Sequence, residues 1–230
     1  MEVDTLACPG CQQRPVCESR PTPLVNEISS FHELDDGTPI LVRPLLYSDR
    51  YQLAENYQHL TDESRRLRFF SARKQLSDDD LEYLTNIDYD NHFAWAAFAL
   101  DAPEDRGVGV ARYIRDPTRT TLAEAAVTVL DAYQHRGLGT LLLQLLADQA
   151  QRNGITTLVS YVLWDNQEVL DGLSEAGALI EPDEPGIARV EIGIPDPEEP
   201  SRTSWFRTTL RHFAGATRVV LGNRREPYAD

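Results

Sequence analysis

Lysine is almost missing. Lys74 is the only one in 230 residues, and the remaining cationic charge is arginine. Against 22 basic side chains stand 37 acidic ones, a formal charge of −15. Duplex binding works by neutralising phosphates with clustered Lys and Arg, so this balance argues against nucleic acid and favours cationic partners such as amines or basic protein segments. The shortage of lysine itself reads as a compositional bias without functional content.

Long apolar runs are lacking too. Phe93 to Leu100 and Leu141 to Leu146 are the longest candidates, and they fall far short of the ~20 residues that cross a bilayer. The opening Met-Glu-Val-Asp has neither the basic start nor the apolar stretch of a secretion signal, so a soluble cytoplasmic protein without stable membrane insertion is expected. Cysteine is scarce and confined to the first 17 residues, which excludes a disulfide framework for the rest of the chain. Cys8-Pro9-Gly10-Cys11 with Cys17 resembles half of a zinc knuckle. Three thiolates fall one short of a tetrahedral site and need a fourth ligand such as His32. No metal is expected, and these cysteines are only weak candidates. His59, His92, His135 and His212 show no metal or triad spacing, and no nucleophile elbow supports a hydrolase.

The length suits one core that buries roughly 70% of the unfolded surface. Residues 1–36 read as an irregular leader, 37–194 as the main domain, and 195–230 as an acidic, proline-bounded linker with an amphipathic helix. Trp205, Phe206, Leu210 and Phe213 give that helix an apolar face for its own domain or for self-association. In the main domain Pro39 to Pro44 predicts a strand, and Ser48, Thr61 and Ser77 stand where helices begin. Phe93 to Leu100, Gly107 to Ile114 and Ala123 to Leu130 predict strands, the last two joined through Asp116-Pro117-Thr118. Leu138, Leu141, Leu142, Leu145, Leu146 and Ala150 repeat at helical spacing up to Asn153-Gly154. A strand at Leu158 to Leu163, a helix at Asn166 to Glu175 and a strand at Ala188 to Ile194 complete a mixed α/β order. No internal repeat is present.

Chemistry concentrates between Leu122 and Thr140, where a strand, a turn and a helix start follow one another. A helix N-terminus offers unpaired amides and the positive end of the dipole, and Gly137 and Gly139 let an anion approach the backbone. Arg136 can add a charge-assisted contact. A third glycine at GxGxxG spacing is absent, as is Gly-Lys-Ser/Thr, so dinucleotide and P-loop readings fail.

Gln134-His135-Arg136-Gly137-Leu138-Gly139 after a strand resembles the acyl-CoA pyrophosphate loop of the GNAT N-acetyltransferase superfamily. Leu67-Arg68-Phe69-Phe70-Ser71, Leu76-Ser77 and Leu84-Thr85-Asn86-Ile87-Asp88 look like its bacterial protein-lysine acetyltransferase (Pat-type) branch. The resemblance runs from about Pro39 to Ile194. It implies the GNAT acyl-CoA N-acyltransferase fold, a mixed and mostly antiparallel sheet with splayed central strands flanked by helices. It also implies acetyl-CoA as co-substrate, with main-chain contacts to its pantetheine arm from Val127 and Val129 and pyrophosphate on the amides of Gln134, His135, Arg136, Gly137, Leu138, Gly139 and Thr140. Asn166 is similar to the family asparagine that touches the pantetheine arm, although a helix cap explains it equally well.

Glu124 corresponds to the family's general base. An amine with pKa of about 10.4 must lose a proton before it can attack, and a glutamate among Leu122, Ala123, Ala125 and Ala126 is placed to take it. A solvent-facing strand glutamate is the alternative that residue statistics favour without the resemblance. The tyrosine acid of many relatives falls on Leu173, and the acid is left unassigned. The expected activity is acetyl transfer to an amine, foremost a protein lysine. A small-amine acetyltransferase and a non-catalytic acetyl-CoA sensor are the alternatives.

Overall fold

The computed structural model describes residues 28–69, 74–101, 107–175 and 177–195. Eight strands form one sheet in the order β1-β2-β3-β4-β5-β6-β8-β7. They are β1 (Ser30–Glu33), β2 (Pro39–Pro44), β3 (His92–Ala99), β4 (Gly107–Arg115), β5 (Leu122–Val129), β6 (Thr157–Leu163), β7 (Leu179–Pro182) and β8 (Ile187–Gly193). The helices are α1 (Arg50–His59), α2 (Asp62–Phe69), α3 (Asp78–Thr85), α4 (Leu138–Arg152) and α5 (Gln167–Glu175). Every strand pair is antiparallel except β5 with β6.

Period-two alternation sends the two sides of each strand into different layers. On β5, Ala123, Ala125, Val127 and Val129 face the larger core, where α4 buries Leu138, Leu142, Leu143 and Leu146 and α5 buries Leu170 and Leu173. Ala126 faces the opposite layer and meets Tyr57 and Leu60 from the α1 side and Leu84 of α3. Each fully buried leucine of α4 contributes about 1.5–3 kcal/mol, so this helix is fixed against the sheet and its N-terminus with it.

Capping explains where the helices start. Ser77 accepts from the Asp80 amide while Asp80 accepts from the Ser77 amide, a reciprocal box that opens α3. Thr61 Oγ1 accepts from the Ser64 amide at 3.1 Å and opens α2. Ser48 is no cap. A 3₁₀ turn at Tyr47–Asp49 leads into α1, and Asp49 instead accepts from the Leu46 amide and binds Arg43 bidentately at 2.8 Å.

Two strands escape the sequence reading. β1 lies inside the segment expected to be an irregular leader, pairing Ser30 to Glu33 with Val42 to Pro39. β7 covers the other edge of the sheet. Both have four residues, too few to show a period. The three cysteines, the stretch Phe70 to Ser71, and the tail with Trp205, Phe206, Leu210 and Phe213 lie outside the described residues.

Candidate active site

The parallel pair β5–β6 is short. Leu122, Ala123 and Glu124 stand opposite Thr157, Leu158 and Val159, and beyond Glu124 the two strands part. Leu130 donates from its amide to Val108 O on β4, and Leu122 O accepts from the Asp116 amide on that same side. Backbone groups alternate along a strand, so those of Ala125, Val127 and Val129 point away from β4, toward the side that β6 has vacated. The expected splay is present, and Val127 and Val129 border it.

Glu124 sits at the vertex, half-buried, on the sheet face opposite α4. Across the gap, one residue past the last registered pair, Ser160 is fully buried and its hydroxyl has no hydrogen-bond partner among the described residues. A buried orphan hydroxyl carries a desolvation cost of about 1–3 kcal/mol.

The strand leads through a 3₁₀ turn, Asp131–Tyr133, into the start of α4. The first backbone bond of α4 runs from the Leu141 amide to Gly137 O at 3.0 Å, and the amides of residues 135–140 donate to no described residue. His135 and Gly137 both have left-handed backbone, φ +59° and +85°, which bends this run of amides into a concave cradle. Gly137 is required on two counts. Its positive φ disfavours any side chain, and a Cβ there would lie 2.9 Å from Asp35 Oδ2.

The loop is braced from three directions. Gln134 turns back and donates through Nε2 to Val129 O at 3.1 Å, which pins the loop to the end of β5. Asp131 accepts from the Thr61 amide and hydroxyl at 3.1 Å each and from Ser64 Oγ at 2.6 Å, which ties the start of α2 to the loop. Partial burial works against the Asp131 carboxylate, but the hydrogen bonds from Ser64 and Thr61 prevail and hold it below the usual range. On the third side, Asp35 donates from its amide to Arg136 O at 3.2 Å, and Arg136 pairs with Asp36 at 2.9 Å while lying over the Tyr133 ring. Sequence reasoning missed Asp131 and this acidic turn, because their partners are 67 to 100 residues away in the chain.

The remaining expected residues fall around the gap. Asn166 follows the end of β6, and its carbonyl accepts from the Leu170 amide at 3.2 Å at the start of α5. Its side chain makes no hydrogen bond to a described residue, so the cap reading holds for the backbone only. Next to it Asp165 pairs with Arg66 of α2 at 3.1 Å, bridging the mouth between α2 and β6. Leu173 is fully buried in the core and is no proton donor. Among the described residues no cluster of His, Cys, Asp and Glu is arranged to hold a metal, and His32 bonds Ser30 Oγ at 2.8 Å. No helix among the described residues is long and apolar enough to cross a membrane.

Comparison with known proteins places this geometry among relatives. Residues 55–171 match the family described as "Acetyltransferase (GNAT) family". Acetyltransferase PA5475 of Pseudomonas aeruginosa is 36% identical over 127 residues, covering 55% of this chain and 68% of its own length. Acetyltransferase Pat of Mycolicibacterium smegmatis is 30% identical over 179 residues, 76% of this chain, and the match spans 53% of that longer protein. Among solved structures, the GNAT domain of S. lividans PAT superimposes with a TM-score of 0.64 at 28% identity, covering 72% of this chain and 96% of that one.

Proposed function

This chain belongs to the GNAT family of acetyltransferases, with acetyl-CoA as co-substrate, and we propose that it transfers the acetyl group to a protein lysine with Glu124 as general base. One observation carries this reading: the unpaired amides of residues 135–140 open at the head of the same gap at whose vertex Glu124 stands.

The pyrophosphate of acetyl-CoA sits on the amides of residues 135–140, where backbone donors and the α4 dipole meet its charge. Asp35 and Asp36 occupy one flank of the cradle, so an anion is repelled there and favoured on the flank that faces β6. From that flank the pantetheine arm runs down the gap, along the backbone of Val127 and Val129, with Asn166 on the opposite wall. Gln134 and Arg136 act by holding the loop.

The thioester then lies near Glu124. The lysine ammonium gives a proton to Glu124, directly or through water, and the freed nitrogen attacks the thioester carbonyl. A backbone amide of β5, at Val127 or a neighbour, stabilises the oxyanion. The C–S bond breaks, the acetyl group stays on nitrogen, and the coenzyme leaves as thiolate or, once protonated, as thiol. The similarity to the two Pat proteins and the strongly acidic composition both support a basic protein segment as acceptor.

The test is thiol release from acetyl-CoA with a panel of lysine proteins, peptides and polyamines, followed by mass spectrometry of the acceptors. Acetylation of protein lysines supports the reading. Turnover restricted to polyamines overturns the choice of acceptor, and tight acetyl-CoA binding without turnover on any acceptor overturns the transfer reaction.

A further inference from the structure

A cavity lies on the Glu124 face of the sheet, under α1 and α3 and over β4 and β5. Leu53, Leu60, Leu84, Val110 and Leu130 supply apolar walls to a space of about 50 Å³. Arg112 lines it as well. Arg112 is only 4% exposed, a rare position for an arginine.

Arginine buried this deeply normally meets a carboxylate, because an uncompensated charge in a low-dielectric interior costs several kcal/mol. Arg112 has no such partner among the described residues. One nitrogen, Nη1, donates to Leu84 O at 2.9 Å and to His92 Nε2 at 3.1 Å. These bonds hold the end of α3 against the sheet but bring no negative charge. His92 is no counterion, since an imidazole is never anionic, and burial and then the Arg112 charge push its pKa down to about 3, so it stays neutral. Burial has lowered the Arg112 pKa to about 10, which still leaves it cationic at neutral pH. Nε and Nη2 make no hydrogen bond to a described residue.

We infer that this cavity is a binding site for a small monocarboxylate with a short aliphatic body, its carboxylate received by the Arg112 guanidinium and its carbons by the surrounding leucines and valine. A guanidinium edge presents two parallel N–H donors to a carboxylate, and the apolar walls beside Arg112 receive a short aliphatic chain. The site does not depend on acetyl transfer. It follows from a buried cation beside apolar walls, and it is tested without acetyl-CoA or acceptor.

The experiment titrates the full chain with propionate and with neutral propionamide, following heat by calorimetry and the arginine Nε–Hε resonances by NMR. Propionate is expected to bind in the millimolar range and to move a single buried arginine signal, with propionamide at least about tenfold weaker. Two variants separate the site from general surface binding. Arg112→Met is expected to weaken propionate by about tenfold or more, and Leu53→Phe, which fills the space but keeps the cation, should do the same if the cavity is the site. Equal binding of propionate and propionamide overturns the inference. So does propionate binding that Leu53→Phe leaves intact, or an absence of binding by the folded wild-type chain.

Discussion

Glu124 and Val159 are the last residues that β5 and β6 hold in register, so the carboxylate stands where the sheet opens. In the proposed function a base belongs at such a point, because an acyl donor threaded between the strands ends beside it. Glu124→Gln keeps the shape and removes the proposed base. It should lower kcat by about 10²–10⁴-fold at neutral pH and leave the acetyl-CoA dissociation constant within about twofold. Steady-state kinetics paired with calorimetry measures both, and an unchanged kcat across pH removes Glu124 from its role.

Gly137 carries the cradle. Alanine there faces a left-handed backbone costing about 1–2 kcal/mol and a contact with Asp35, whose carboxylate can swing away only by disturbing the acidic turn. Gly137→Ala should destabilise the fold modestly in denaturant unfolding while weakening acetyl-CoA by at least about tenfold. Gly154, also at positive φ but in open space, provides the control. Gly154→Ala should show the backbone cost alone, with coenzyme affinity unchanged.

Asp131 joins the loop to α2 through three hydrogen bonds from Thr61 and Ser64. Asp131→Ala should raise the KM for acetyl-CoA more than it lowers kcat, since it loosens a binding loop and leaves Glu124 in place. Hydrogen exchange should then speed up across residues 131–140 and at the start of α2, with α4 beyond its first turn protected as before.

His92 gives the fold a pH dependence of known sign. Its pKa is about 3 when folded and near 6.5 when unfolded, because burial and then Arg112 disfavour the imidazolium. Between those values the unfolded chain binds a proton that the folded chain excludes. Stability therefore falls as pH drops through this window, by up to about 1.4 kcal/mol per pH unit. His92→Gln removes the titration and should flatten the difference between pH 7 and pH 4 in urea unfolding. A variant with the wild-type slope would show that His92 already protonates in the folded state.

The sheet's long strands and α4 are legible in the sequence because each carries an apolar run or an apolar period over seven or more residues. Glycines at 137 and 139 and the glutamate at 124 stand out in the sequence because the chemistry proposed for them is local to one strand and one turn. Other parts depended on distant pairing. The strands at Ser30–Glu33 and Leu179–Pro182 form by adding short edges to a sheet already built. Arg136 reads as a free cation beside the glycines, yet it belongs to Asp36, 100 residues earlier. Arg112 reads as an ordinary strand residue. Its isolation appears only when α1, α3 and β4 close around it.

The central claim is that the amides of residues 135–140 hold the diphosphate of coenzyme A, and calorimetric titration of the folded chain with coenzyme A addresses it most directly. The account predicts saturable binding at one site per chain, weakened by at least about tenfold in Gly137→Ala and unaffected by Glu124→Gln. A folded protein that gives no binding signal, or one whose affinity is indifferent to Gly137→Ala, contradicts it.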